Sequence, residues 1–359
     1  MSEIIKFSFE RAKFSRTILI HGMIRVFHLS VSPFILLVVV GIASLLLTNF
    51  IFAQDNKPFE LRSGVIVDPG RGLIYVMNSK SGIDALDITK GTLEWRIDYA
   101  AKPLALSGNH LICQVESKSG DNELRIAVLN VLEQGQLVLT NFIRLPSDVR
   151  VSISDTLNST FNTYGRIQDG EFILAWKYSY RPIRGIPPQD SERDKRKQSI
   201  IESDTPKITS GVIKLDLASG EMSILREEEA RISLVPRGPN LAAHERLARI
   251  KGIQFISADN AHVLTSQRVT NDSVWDKYGW TIYERTTGKQ IAQIKNHKSY
   301  APFFVFNSML FYETGPYMRR IDKSLEDEPL KIRAVSLQTG EVVWSWEIRD
   351  TKYRGPFPG

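Results

Sequence analysis

Short runs in which apolar residues alternate with polar ones fill the chain from about residue 64 to residue 349, and turn-forming Gly, Asp, Asn or Pro separates them. A period of two is the strand period, because successive side chains leave a pleated strand on opposite faces. One stretch sets the pattern. Residues 82–96 (GIDALDITKGTLEWR) join an apolar run ending at Asp87 to a second run, 92–95, across a polar turn closed by Gly91. Glycine there takes the positive φ the turn needs, so the stretch predicts a β-hairpin. The design returns at 211–225, 280–294 and 332–346, with a looser copy at 124–142. Aligned on their turn glycines, the copies stand at Gly91, Gly135, Gly220, Gly288 and Gly340, at intervals of 44, 85, 68 and 52 residues. A small sheet cannot bury its own faces, so a β-unit recurring every 40–50 residues or so predicts propeller blades. The expectation is an all-β propeller of about five four-stranded blades; six or seven is the alternative, since the two longest intervals can hold a degenerate blade.

The alternation assigns the strands blade by blade. Residues 64–68, 73–77, 82–87 and 93–97 make the first, and 103 to about 142 the second. The run 171–180 (EFILAWKYSY), with aromatics at Phe172, Trp176, Tyr178 and Tyr180, joins 211–225 in the third. Four runs between 252 and 294 make the fourth, and four between 302 and 348 the fifth. The Ser/Asn/Thr-rich stretch 147–163 carries only a weak strand pattern. In 241–250, Leu241, Leu247 and Ile250 fall roughly on one face of a short helix, with His244 exposed on it.

The hairpin copies resemble the Trp-motif repeats of pyrroloquinoline-quinone-type (PQQ-like) propellers, roughly Ala-Leu-Asp-x-x-Thr-Gly-x-x-x-Trp. ALDITKGTLEW and AVSLQTGEVVW carry the likeness, with Asp87, Gly91 and Trp95 in the first copy and Gly340 and Trp344 in the last. The middle copies keep Asp216 with Gly220, and Gly288, but lack the Trp. The resemblance spans most of residues 64–348 and implies that Trp95 and Trp344 pack between neighbouring blades. It implies architecture and says little about chemistry. The alcohol-oxidising members have eight blades and use an adjacent cysteine pair beside the quinone, with bound calcium. One cysteine and about five blades argue against that activity. Other relatives are assembly scaffolds of the bacterial envelope, which grip partner chains by loops and strand edges.

Residues 33–52 (PFILLVVVGIASLLLTNFIF) contain no charge and match the length of a bilayer-spanning helix. Basic residues before them (Lys6, Arg11, Lys13, Arg16, Arg25, against Glu3 and Glu10) place the N-terminus in the cytoplasm and the propeller across the membrane. The chain thus divides into a basic cytoplasmic region 1–32, a transmembrane or signal segment 33–53, a linker 54–63, the propeller 64–349 and a tail 350–359. The apolar segment reads as an uncleaved anchor or as a signal peptide cut after Ala53, with Met23 as a possible start. The periplasm or the cell exterior follows as the location. Net charge is +6, of which +3 lies in residues 1–53, so the nearly neutral propeller has no nucleic-acid signature.

No nucleotide-binding loop, zinc-protease helix or nucleophile elbow is present. The six histidines are scattered, and Cys113 sits in a strand pattern as a buried thiol. Asp87 and Asp216 read as turn-stabilising acceptors, a role taken by Glu284 and Ser336 in later copies. No catalytic, cofactor or metal site is expected. Binding is the expected activity, with protein partners in the envelope and the membrane reached through the N-terminal segment. The alternative is a degenerate quinoprotein-like oxidoreductase using the central channel. Convergent charged groups lining that channel would favour the enzyme, and an aliphatic plug the scaffold. The proline-rich connection 181–210 holds Arg193, Lys195, Arg196 and Lys197, and a second connection, 312–330, is acidic at Asp322, Glu326, Asp327 and Glu328. The basic run reads either as a solvated tip or as a docking element for an acidic partner or for anionic headgroups.

Overall fold

Alternating side chains and glycine-closed turns produce consecutive antiparallel sheets, each a meander in chain order. The computed structural model describes residues 57–117, 121–168, 170–181, 207–225, 253–270, 277–296, 302–315, 317–321 and 324–352, all within the unit Lys57–Gly359. The apolar segment 33–53, the basic run Arg193–Lys197 and the helical stretch 241–250 lie outside the described residues.

The first sheet holds β1 (Phe59–Arg62), β2 (Val65–Asp68), β3 (Leu73–Met77), β4 (Ile83–Asp87) and β5 (Leu93–Ile97). The second holds β6 (Lys102–Ser107), β7 (His110–Gln114), β8 (Glu123–Asn130) and β9 (Gln136–Arg144). The third is β10 (Ser159–Gln168), β11 (Glu171–Tyr180), β12 (Lys207–Leu215) and β13 (Met222–Leu225). The fourth is β14 (Ile253–Ile256), β15 (His262–Thr270), β16 (Lys277–Glu284) and β17 (Gln290–Asn296). In the fifth, β18 (Phe303–Phe306) and β19 (Met309–Thr314) are followed by a separate hairpin, β20 (Tyr317–Ile321) with β21 (Ser324–Glu328). Then β22 (Lys331–Ser336) and β23 (Val342–Glu347) complete the sheet.

Shared buried cores join the first sheet to the second, the second to the third, the fourth to the fifth and the fifth back to the first. Tyr75, Ala85 and Trp95 of the first sheet share a core with Leu111 and Ala127 of the second. Ile126 and Val128 of the second meet Phe172 and Leu174 of the third. Trp280 and Ile282 of the fourth meet Phe303 and Leu310 of the fifth. Phe311 and Trp344 of the fifth return to Val65, Ile74 and Leu86 of the first. Sheets stacked in chain order, the last on the first, make a β-propeller of five blades among the described residues. The closing junction is also polar. Asn78 bridges Ile348, Arg349 N–H donates to Met77 O at 3.0 Å, and the indole N–H of Trp346 donates to Asp84 at 3.1 Å.

Three connections differ from their sequence reading. The linker 54–63 contains β1, paired to β2; Phe59 and Leu61 do alternate with Glu60 and Arg62, but four residues are too short a run to read as a strand without a partner edge. The weakly patterned stretch 147–163 runs into β10, whose pairing to β11 supplies the order its composition does not advertise. The acidic connection 312–330 holds the β20–β21 hairpin.

A β-bulge recurs in the outer hairpin of four sheets, and it aims one side chain at the next blade. In the first, Leu86 pairs Leu93 and Ala85 pairs Trp95, so Glu94 is the extra residue. The second skips Val138 to present Leu139, the fourth skips Ile291 to present Ala292, and the fifth skips Val343 to present Trp344. The skipped residue turns outward, which accounts for the exposure of Val138, Ile291 and Val343. In three of the four, the presented residue lies over the turn glycine of the following blade. A Cβ on Gly91 would stand 2.4 Å from the Trp344 ring, and one on Gly135 2.8 Å from Trp95. On Gly220 it would stand 3.5 Å from Leu139, and on Gly340, which follows the blade carrying Ala292, it would meet nothing within 4 Å. The space above each glycine thus falls as the presented side chain grows.

This series makes a matched pair of substitutions informative. Gly91 and Gly340 occupy the same turn position at φ +68° and +74°. Alanine at either pays the left-handed backbone cost of about 1–2 kcal/mol. Only Gly91→Ala also overpacks against an indole, adding about 1–3 kcal/mol. Urea unfolding of the two variants should therefore separate them by at least about 1 kcal/mol, and equal losses would remove the Trp–Gly contact from the account.

Candidate functional site

The repeated motif residues are engaged in the hairpins themselves. Asp87 Oδ1 accepts from the N–H groups of Thr89 and Lys90 at 2.8 and 2.7 Å, and Asp216 Oδ1 does so from Ala218 and Ser219 at 2.8 and 3.3 Å. Those backbone donors hold the Asp216 carboxyl below its usual range. Ser336 accepts from Gln338 and Thr339 in the same geometry. Gly91, Gly220, Gly288 and Gly340 each donate at 2.8 Å to the carbonyl four residues back. Trp95 and Trp344 are nearly buried between blades. All of these groups are occupied in holding turns and junctions.

The chemistry that the motif does not use lies along the propeller axis. Strand β6 packs beside both β2 and β10, as the first strands of neighbouring blades do around an axis. β1 pairs with the inner edge of β2, so the axial side of the first blade is covered by the chain's own backbone. Phe59 packs edge-on to Phe304 of the fifth blade with ring centroids 5.4 Å apart, Leu61 is buried, and Arg62 Nη1 lies 3.0 Å from Glu313 Oε1. The side chain of Lys102, at the start of β6, is buried and donates to Thr163 Oγ1 at 2.9 Å and to Thr163 O at 3.3 Å. Thr163 Oγ1 in turn donates to Gln114 Oε1 at 2.8 Å.

Burial pulls the Lys102 ammonium down to about 8, while Glu60 holds it up, Arg62 pushes it lower and Asp155 holds it up. Burial likewise raises the Glu60 carboxyl, with Lys102 and Arg62 acting against it. Glu60 nevertheless keeps solvent-accessible surface. Its carboxylate is exposed and wet. Tyr164 belongs to the same group, its hydroxyl raised by burial and by the charges of Glu60 and Asp155.

A strap covers the end of this cluster. After β9 the chain crosses from the second blade with Val149 and Val151 buried, and Ile153 packs on Met77 and Ala101. Asp155 N–H donates to Thr351 O at 2.7 Å, and the Arg349 guanidinium reaches Glu116 and, at 3.0 Å, Ser154 Oγ. Strap and C-terminal segment thereby hold each other beside Lys102.

The axial side of the ring carries the apolar side chains of Phe59 and Leu61 as well as the charged Arg62, Glu313 and Lys102, and β1 runs along it. The adjacent cysteine pair that the resemblance implies for quinone-dependent alcohol oxidation is not in the sequence. Cys113 is the only cysteine and is buried between the first and second blades, off the axis. Among the described residues no group of three or more His, Cys, Asp or Glu is arranged to hold a metal ion. His110 and His262 begin β7 and β15, in different blades.

Sequence reasoning missed the axial cluster. Phe59–Arg62 alternates, which is a strand signal, but Lys102, Gln114 and Thr163 stand 61 residues apart at the extremes, and nothing local marks them as neighbours.

No family model matches the sequence, and no curated protein does either. Among solved structures, a europium-containing methanol dehydrogenase is 11% identical, with 77% of this chain and 67% of that chain covered at a TM-score of 0.22. The Dos1 propeller is 8% identical, with 82% and 76% covered at a TM-score of 0.26. The five-bladed architecture rests on the sheet order and junctions described above. Among the described residues no helix is long and apolar enough to cross a membrane.

Proposed function

We propose that the chain is a non-catalytic binding or assembly module of the cell envelope. It is exported with its propeller outside the cytoplasm, held by the segment 33–53 or released after Ala53. One observation carries the choice of binding over catalysis: β1 lies along the axial edge of the first blade, in the space that a channel enzyme of this architecture would offer to substrate and cofactor. Its charged residues are already met, Arg62 by Glu313 and Glu60 by the nearby Lys102 and Arg62. Recognition then falls to the periphery, and the basic connection around Arg193, Lys195, Arg196 and Lys197 supplies charge that orients an acidic protein partner on encounter. No cofactor and no nucleic acid enter this reading.

Replacing residues 185–206 by a short linker in the full chain tests it. The fold is expected to survive, since residues 185–206 are rich in proline and charge and hold few large apolar side chains, while capture of an envelope partner by cross-linking in membranes falls. Unchanged capture would move the interface to the blade edges. The runner-up, a quinoprotein-like oxidoreductase, draws on the Lys102 amine beside Glu60. Quinone-dependent alcohol oxidation by the purified chain that is lost in Lys102→Met would replace the binding reading with that one.

A further inference from the structure

We propose that the propeller ring opens first at the junction of its third and fourth blades, and not where the chain closes on itself. The inference is independent of the partner proposed above. It rests on the third outer hairpin, which lacks the bulge. There Leu215 pairs Met222, Lys214 pairs Ser223 and Ile213 pairs Ile224, with no residue skipped. Because side chains alternate with period two, losing one inserted residue turns the rest of the strand over. The residue four beyond the turn glycine, presented to the next blade in the other four sheets, is here Ile224. It stands beside Ile213, on the face that packs against the second blade, and is 69% exposed.

The face away from the second blade, on which the other four sheets present their interlocking residue, carries Ser223 instead. Its partner Lys214 lies on the same face as Val212, which clusters with Ile173 and Ala175 on the side away from the second blade. Ser223 is exposed, and Lys214 is ion-paired to Glu171 of its own blade. At the corresponding place Trp95, Ala292 and Trp344 are 9%, 8% and 8% exposed. The chain-closing junction, by contrast, has Trp344 over Gly91, the Trp344 indole on Ile88 O at 3.1 Å, Trp346 on Asp84 and Arg62 on Glu313. A junction with a polar, wet residue in the interlocking position loses least on separation, so local opening concentrates there.

Hydrogen exchange of the full chain, resolved by mass spectrometry, tests this. Amides of β13 are expected to exchange about tenfold or more faster than those of β5 and β23, which occupy the same outer position. Ser223→Leu, placing an apolar side chain at the interlocking site, is expected to slow β13 exchange about tenfold while leaving β5 and β23 unchanged. Equal protection in the three strands, or faster exchange in β23, overturns the proposal whether or not the variant folds. A folded Ser223→Leu protein with unchanged β13 exchange overturns it too.

Discussion

Trp344→Ala is expected to lower the unfolding free energy by about 3–5 kcal/mol, the range for truncating a buried large aromatic side chain. The indole fills the last-to-first junction, beside Phe311 at a centroid distance of 5.8 Å and over Gly91, and its N–H satisfies Ile88 O at 3.1 Å. Truncation leaves a cavity lined by a turn that cannot collapse onto it, because Gly91 has no side chain to offer. The carbonyl of Ile88 also loses its indole donor. Trp95→Ala removes the same kind of contact from Gly135 and Tyr75 and should fall in the same range. Urea unfolding followed by far-UV circular dichroism reads both. A Trp344→Ala midpoint within error of the parent would show that the closing junction does not depend on the indole.

The second large effect is a pH dependence. The Lys102 amine sits at about 8 in the folded protein against 10.5 as its ordinary value. A lysine lowered on folding is penalised while charged. Below pH 8 both states hold the proton and the penalty is full. Between pH 8 and 10.5 the folded state releases its proton first, so stability contributed by this group rises with pH. At 1.36 kcal/mol per pH unit the gain is about 3 kcal/mol. Burial raises the hydroxyls of Tyr75, Tyr99 and Tyr164 and the Cys113 thiol, and these groups act in the opposite direction as the unfolded chain loses their protons. They are common to the parent and to Lys102→Met, so the difference between the two stability curves isolates the lysine. That difference should shift in favour of the parent by about 3 kcal/mol from pH 8 to pH 10.5. Parallel curves would mean that the amine reaches water and titrates normally.

Much of the architecture was legible because its determinants are local. The turn glycines predicted the outer hairpins, and the backbone at Gly91, Gly220, Gly288 and Gly340 is left-handed as those turns require. Period-two alternation placed most strands of the five blades within a few residues. The indoles of Trp95 and Trp344, expected from the resemblance to lie between blades, do so.

What failed to be legible depends on pairing at a distance. β1 becomes a strand because the edge of β2 is there to receive it, and the alternation of four residues carries no such information. The equivalence of Ile224 with Trp95, four residues beyond a turn glycine in each case, is broken by a single bulge that local composition does not announce.

The candidate site was the least legible part. Glu60, Lys102, Thr163 and Glu313 come from four strands in four blades and acquire their properties only from one another. By itself, the sequence determined that the chain folds as repeated glycine-closed hairpins, because turn chemistry and alternation act over a few residues. Tertiary structure alone decided which edge β1 covers, which side chains interlock the blades and which charges share the axis. Register and ring closure set those outcomes, since a one-residue shift in pairing reverses which face a side chain occupies.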